Sequence, residues 1–200
     1  MINTNSKAER TKQFIIERTA PVFNAKGYAG TSLTDLTGAT GLTKGSIYGN
    51  FENKDEVALA AFDYNFGRVN SYMKSRIMAA ENAVERLLAY PAVYRNFLKI
   101  PFLQPGCPIL NTATEADDTH PLLKEKAADA LSFWKKSIEN QVKRGIGRKE
   151  IDPGTNPAET AVIMMSLIEG AVMQAKVTGR SAELKITMDF LEKLIKGLGI

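Results

Sequence analysis

Residues 31–51, with the sequence TSLTDLTGATGLTKGSIYGNF, constrain the fold of this chain more than any other stretch. Ser32 is a residue type that caps helices, and Leu33 and Leu36 follow it one helical turn apart, which predicts a short helix. Gly41 then suits the left-handed backbone that commonly ends a helix. We therefore expect a short helix that stops at a tight corner.

A second helix of different character follows this corner. Thr43 can cap it, and Ile47 is placed to face inward beside Leu36. Its other side chains leave a polar outward face, formed by Lys44, Ser46, Tyr48 and Asn50. Two short helices that cross closely over a tight turn form a helix-turn-helix, whose second helix enters the major groove of DNA. The segment therefore predicts a DNA-binding protein.

Positive charge is concentrated around the same segment. The formal net charge of the whole chain is only +4, which is weak evidence for a nucleic-acid partner. Residues 1–54, however, contain seven Lys or Arg against four acidic residues, whereas residues 156–200 contain five of each sign. An excess of positive charge beside the predicted helix-turn-helix favours attraction to phosphate.

The remainder of the chain is predicted to be helical. Apolar residues recur at spacings of three and four, and no alternating strand pattern is present, so the predicted fold class is all-α. A first helix should contain Pro21 and end at Gly27. Later helices are expected at about 55–76, 82–99, 109–116, 121–144, 156–178 and 182–197.

The composition also indicates where the protein resides. Cys107 is the only cysteine, which excludes an intramolecular disulfide and suits a reducing compartment. The N-terminus is polar, without the apolar core of a signal peptide, and no uninterrupted apolar run approaches the roughly 20 residues of a membrane span. We expect a soluble, cytoplasmic protein with no membrane partner.

At this point the chain resembles the TetR family of transcriptional regulators over about its first 60 residues. The resemblance rests on Phe23, Lys26-Gly27-Tyr28, Thr31-Ser32-Leu33, Asp35-Leu36, Gly41-Leu42, Lys44-Gly45-Ser46-Ile47-Tyr48, Phe51, Asn53 and Lys54. It implies a three-helix DNA-binding domain over residues 1–53 and a larger helical ligand-binding and dimerisation domain over residues 54–200. It further implies a homodimer formed through the last two helices and a small-molecule effector that changes the separation of the two DNA-reading heads.

The resemblance also assigns DNA contacts. Carried onto this sequence, the phosphate contacts would be Thr31, Thr43, Lys44, Tyr48 and Lys54, and the residues near base edges would be Lys44, Gly45, Ser46 and Asn50. The family often has an aromatic residue or histidine after the tyrosine, where this chain has Gly49 and Asn50. We expect Gly49 to weaken a helix interior by about 1 kcal/mol relative to alanine, and Asn50 to pair with adenine.

Aromatic residues of the larger domain indicate the chemistry of an effector. Each of them alone is more simply a core residue, but as a group they predict an apolar or aromatic ligand. The candidate ligand-binding residues are Phe62, Phe66, Tyr94, Phe97, Phe102 and Trp134. We expect no cofactor and no metal, because His120 with Glu115, Asp117 and Asp118 is typical of a helix start rather than of a metal cluster.

The sequence leads us to expect a homodimeric repressor that binds a palindromic double-stranded DNA operator and is released by a small molecule. It is not expected to be an enzyme, because the chain lacks a glycine-rich phosphate loop and an evident nucleophile with its base. Two alternatives stay open. One is a helical small-molecule-binding or enzyme-like protein with a non-functional helix-turn-helix. The other is a regulator that senses electrophiles through Cys107, which the sequence equally presents as a small buried residue at a turn.

Overall fold

A computed structural model of the chain describes residues 6–200. Within that range the chain forms nine α-helices and one short 3-10 turn at Phe97–Lys99. The helices are α1 (Lys7–Lys26), α2 (Leu33–Thr40), α3 (Lys44–Tyr48), α4 (Lys54–Met78), α5 (Ala83–Arg95), α6 (Pro108–Ala116), α7 (Pro121–Gly147), α8 (Pro157–Thr178) and α9 (Ala182–Lys196). An isolated antiparallel bridge between Ile151 and Gly199 is the only extended pairing in the described part of the chain, so the predicted all-α class is confirmed.

One helix boundary and one helix cap have local explanations in the structure. The helix expected at 82–99 ends as α5 at Arg95, because the backbone after Asn96 turns into the 3-10 geometry. The start of α7 is capped by His120, whose Nδ1 accepts a hydrogen bond from the Leu123 N–H at 3.2 Å. Asp117 and Asp118, the acids of the predicted helix start, are exposed in the preceding turn.

The described chain divides into two compact units. The first extends through Arg68 and includes Pro108–Ala128, so that it contains α1–α3, the first part of α4, α6 and the start of α7. Within it α1 packs on α2, around a buried core of Ile15, Ala20, Phe23, Leu36, Ile47, Phe51 and Val57. This unit is larger than the domain expected over residues 1–53, and the predicted domain boundary stays a prediction.

The second unit consists of Val69–Cys107 and Asp129–Ile200. In it α9 packs on both α5 and α8, around buried residues that include Leu87, Tyr90, Ile138, Met164, Ile168 and Leu191. Arg95 on α5 also forms ion pairs with two residues of α9, Asp189 at 2.6 Å and Glu192 at 2.7 Å. Apolar packing and these partly buried ion pairs together hold the helices of this unit.

Helix α8 is more apolar than the other long helices. Among residues 6–200 it alone is long and apolar enough to satisfy the length and composition criteria for a membrane span. The core helices of soluble proteins satisfy the same criteria, so this is weak evidence for a membrane segment. Several of its apolar side chains, including Val162 and Val177, are exposed on the single chain.

Candidate nucleic-acid interface

The α2–turn–α3 segment is built by local hydrogen bonds. Ser32 and Asp35 cap α2 reciprocally: Ser32 Oγ accepts the Asp35 N–H at 3.1 Å, and Asp35 Oδ2 accepts the Ser32 N–H at 2.8 Å. Gly41 ends α2 in the left-handed region at φ 70°, and its N–H donates to the Thr37 carbonyl at 2.8 Å. Thr43 caps α3 by accepting the Ser46 N–H at 3.2 Å. These bonds confirm the predicted helix-turn-helix.

The inward faces of the two helices are fully buried. Leu36 on α2 and Ile47 on α3 have no exposed surface, as the sequence pattern predicted. Leu42 at the corner between them is only half-buried. The pair of short helices therefore has an apolar contact that fixes their crossing, in addition to the capped ends.

An ion pair ties the start of α2 to the end of α1. Lys26 Nζ lies 2.5 Å from Asp35 Oδ1. The ammonium of Lys26, together with hydrogen bonds from the Ser32 backbone and hydroxyl, holds the pKa of Asp35 well below its usual range. Asp35 thus stays ionised while it caps α2, and it neutralises one of the cations of this region.

The outward face of α3 offers polar side chains to solvent. Thr43, Lys44 and Gly45 are exposed, and Ser46 and Tyr48 are half-buried. A free ammonium, two hydroxyls, a phenol and an open backbone at Gly45 are groups that hydrogen-bond to phosphates and base edges. The helix-turn-helix therefore exposes the part of α3 that the sequence assigned to DNA.

The end of α3 differs from the expectation. The helix stops at Tyr48, and Gly49 forms its C-cap with an N–H that donates to the Gly45 carbonyl at 2.9 Å. The expected interior penalty at Gly49 was wrong, because the residue does not lie inside the helix. Asn50 follows the helix, and its side-chain amide donates to the Ser46 carbonyl at 2.9 Å. To pair with a base, Asn50 would have to exchange this bond.

Thr31 occupies a different place from the one expected of a phosphate contact. Its side chain is fully buried, and its hydroxyl donates to the Gly27 carbonyl at 2.6 Å. In this conformation Thr31 closes the end of α1, so its hydroxyl is not available to a ligand in solvent.

Lys54, the first residue of α4, is held by an aromatic ring. Its ammonium lies 4.3 Å from the centroid of the Tyr28 ring, within the range of a cation–π interaction. The Tyr28 hydroxyl donates a hydrogen bond to Asp55. This bond, burial and the charge of Asp55 raise the pKa of Tyr28 to about 12, so the phenol stays protonated. Lys54 is therefore positioned beside the helix-turn-helix.

Glu115 on α6 is a residue whose role the sequence reasoning missed. Its two carboxylate oxygens accept the backbone N–H groups of Tyr28 and Ala29 at 2.7 and 2.8 Å. Gly27 has a φ of 74°, and a Cβ there would collide with this carboxylate. Glu115 thus clamps the α1–α2 loop. No local signal predicts this contact, because it joins residues 87 positions apart.

His120 packs against Tyr28 within the first unit. His120 is buried, with its ring edge-to-face against Tyr28 at a centroid distance of 4.6 Å. Its Nε2 has no hydrogen-bond partner among the described residues and lies 3.8 Å from Asp55 Oδ1. No group of three or more His, Cys, Asp or Glu that could hold a metal occurs within residues 6–200.

The predicted ligand-binding aromatics are distributed over both units. Phe62 and Phe66 belong to the first unit, where their rings stack at 6.3 Å. In the second unit, Tyr94 stacks on Trp134 at 5.7 Å, and Tyr90 lies on the same indole at 6.4 Å. Also in that unit, Phe97 is buried and Phe102 contacts Tyr72 edge-to-face at 5.6 Å. Within the second unit, the structure therefore assembles Tyr90, Tyr94 and Trp134.

Cys107 is buried among acidic and phenolic groups. Its Sγ lies 4.0 Å from the Tyr94 hydroxyl, and its thiol hydrogen-bonds toward Glu169. Burial raises the pKa of Glu169 to about 7, against the opposing effect of the thiol. A carboxylate neighbour disfavours the thiolate that electrophile sensors use, which weighs against the sensor alternative. Sequence reasoning did not single out Glu169.

A capped helix-turn-helix with an exposed polar recognition helix, followed by a second helical unit, defines a helical DNA-binding regulator. Residues 15–61 match the family described as bacterial regulatory proteins, tetR family. Residues 83–191 match the tetracyclin repressor-like C-terminal domain. The chain belongs to the TetR family of transcriptional regulators, as its N-terminal motif predicted.

Known relatives span nearly the whole chain. A TetR-family regulator from Cytophaga hutchinsonii is 49% identical, with a TM-score of 0.94 over 99% of both chains. A TetR regulator from Chloroflexus aurantiacus is 37% identical, with a TM-score of 0.90 over 95% of this chain and 96% of that one. The repressor DhaR of Mycobacterium sp. (strain GP1) is 24% identical, covering 83% of this chain and 82% of its own. The family and these relatives are transcriptional regulators rather than enzymes.

Proposed function

We propose that the protein is a homodimeric cytoplasmic repressor that leaves a palindromic operator when it binds a small aromatic molecule. The observation that carries this proposal is the exposed polar face of α3 on a helix-turn-helix whose caps and apolar contact are complete. Such a helix presents side chains to a major groove without any change of fold.

The proposed DNA contacts follow the exposure of each side chain. Thr43, Lys44, Tyr48 and Lys54 bind phosphates, and Lys44, Gly45, Ser46 and Asn50 lie near base edges. Thr31 is left out of this set because its hydroxyl is buried against Gly27. Phosphate contacts position the protein and base contacts give it sequence preference, so the two groups predict different mutant behaviour.

Exposed apolar side chains on the last two helices support the dimer. Val177 on α8 is 81% exposed, and on α9 Ile186 is 68% and Phe190 is 56% exposed. Apolar side chains clustered on two adjacent helices are characteristic of subunit interfaces. A two-fold dimer through this face would place two copies of α3 on an inverted repeat.

The repressor role and the effector have separate support. DhaR and the Escherichia coli protein ComR, 24% and 25% identical to this chain, are named transcriptional repressors, which supports repression by analogy. The stacked rings of Tyr90, Tyr94 and Trp134 support an aromatic effector.

The test is selection of bound duplexes from a random DNA pool, followed by titration of the winners at two salt concentrations. We expect an inverted repeat bound far more tightly than scrambled DNA, with affinity that falls steeply with salt because counterions are released. Lys44→Ala should weaken binding and lower the salt slope by roughly 1, whereas Lys74→Ala, an exposed lysine in the second unit, should change neither. A pool without enrichment, also after refolding without ligand, would refute DNA binding.

A further inference from the structure

Glu169 in the middle of α8 has a buried carboxylate without an adequate partner. Both of its carboxylate oxygens are inaccessible to solvent, and neither has a well-formed hydrogen bond within the described chain. Burying an ionised carboxylate without a partner is strongly unfavourable, because the charge loses its hydration. Such a group calls for a specific explanation.

The described neighbours of Glu169 are the Cys107 thiol and the Tyr94 phenol, and no cation among residues 6–200 lowers its pKa. The thiol of Cys107 is its hydrogen-bonding neighbour, and a thiol is a weak donor. The Tyr94 hydroxyl lies 4.0 Å from the Cys107 Sγ, and burial together with the nearby Cys107 and Glu169 raises the pKa of Tyr94. The Tyr94 ring stacks on the indole of Trp134 at a centroid distance of 5.7 Å.

The carboxylate is enclosed by a single subunit. Its oxygens are already buried in one chain, so a dimer partner docking on the exposed side of α8 cannot pair with them. What completes the site must therefore enter the interior of the second unit.

We propose that Glu169 is the recognition residue for an effector that carries an N–H-donating cation, an ammonium or amidinium, on a flat aromatic group. This inference rests on the proposed function, because it names the chemical class of the effector. The carboxylate would accept charge-assisted hydrogen bonds from the cation, while the faces of Tyr94 and Trp134 would attract both its charge and its ring.

The acid–base state of Glu169 is compatible with this role. Burial raises the pKa of Glu169 to about 7. When no effector is bound, the Glu169 carboxyl is therefore protonated and uncharged in a large share of the molecules at neutral pH. A bound cation stabilises the ionised form, so the charge is buried only when it has a partner. The protein thus avoids an isolated buried charge until the effector arrives.

The experiment compares two ligands of nearly the same shape. Benzamidine is a flat aromatic cation with N–H donors, and benzamide is its uncharged counterpart. Trp134 is the only tryptophan of the chain, so its fluorescence reports directly on the proposed site. On the unmodified protein we expect saturable binding of benzamidine, tighter than that of benzamide by roughly tenfold or more.

Two variants locate the effect. Glu169→Gln keeps the shape of the side chain and removes its charge, and we expect it to weaken benzamidine by roughly tenfold or more and leave benzamide unchanged. Glu159→Gln removes the same charge from an exposed site on the same helix and should change neither ligand. Equal binding of the two ligands, equal losses for both in Glu169→Gln, or no saturable benzamidine signal would overturn the proposal.

These measurements separate this proposal from the proposed function. The ligand titrations contain no DNA, and the operator selection contains no ligand. If an operator is enriched but benzamidine does not bind, only the proposal of a cationic effector is refuted. If benzamidine binds in a Glu169-dependent way but no operator is enriched, the proposed cation site is supported and the proposed regulator function is refuted.

Discussion

Replacing Glu169 with glutamine should make the protein more stable at alkaline pH and change little at acid pH. The pKa of Glu169 is about 7 in the folded protein, against an ordinary value of 4.5 for an unfolded chain. Below the lower value both states hold the proton, so the acid costs nothing. Between the two values only the folded state keeps the proton, and the free energy of unfolding falls as pH rises. Above the folded pKa the loss levels off.

The size of this loss follows from the two pKa values. Each pKa unit corresponds to about 1.4 kcal/mol, so the wild-type protein should lose about 3 kcal/mol of stability across this range. Glutamine cannot ionise, so the variant loses no stability at this site. Near neutral and alkaline pH the variant should therefore unfold at a melting temperature higher by about 6 to 12 °C.

Urea unfolding over the range from about pH 4.5 to pH 8.5 measures the difference between the two proteins. All samples need the same protein concentration, because the stability of the proposed dimer would depend on it. Glu159→Gln, which removes an exposed acid from the same helix, serves as the control and should parallel the wild type. If the difference in the free energy of unfolding between Glu169→Gln and the wild type does not grow with pH, the reasoning is refuted.

Three further predictions concern the proposed DNA contacts, the Glu115 clamp and Cys107. Tyr48→Phe should weaken binding to all operator variants alike, whereas Asn50→Ala should relax preference at one base position by about 1–3 kcal/mol, and a panel of operator variants distinguishes them. Glu115→Ala leaves two backbone N–H groups of the α1–α2 loop unpaired and should lower stability by about 1–3 kcal/mol in thermal unfolding, whereas Asp118→Ala, an exposed acid nearby, should not. Cys107 should react slowly with iodoacetamide in the folded protein, because its side chain is 1% exposed, and fast labelling followed by operator release would instead support electrophile sensing.

The helix-turn-helix was predictable because its determinants are close in sequence. Ser32 caps α2 through a residue three positions on, Gly41 bonds to a carbonyl four positions back, and Thr43 caps α3 within one turn. Interactions of such short range depend on residue type and spacing alone, so they can be predicted from the sequence without knowledge of the fold. The helical class and the approximate limits of the long helices were predictable for the same reason.

The exposure of individual site residues was not predictable. Thr31 and Asn50 carry the side chains expected of DNA contacts, yet in the folded chain one is buried against Gly27 and the other folds back on Ser46. Both bonds are short-range, but each competes with solvent and with a ligand for the same group. Which partner is available depends on the helices packed around them.

The sequence by itself therefore determined the class of fold, the position of the recognition helix α3 and the family. Only the tertiary structure decided that Glu115 clamps a loop 87 positions away, and that Glu169 is buried beside Cys107 without an adequate partner. The sequence around Glu115 and Glu169 does not distinguish them from acids on the surface. Hydrophobic periodicity identifies the apolar side of a helix, but it does not show which polar residues become buried. Burial and long-range proximity set the charge state of an acid and its partners, and both arise only when distant helices pack together.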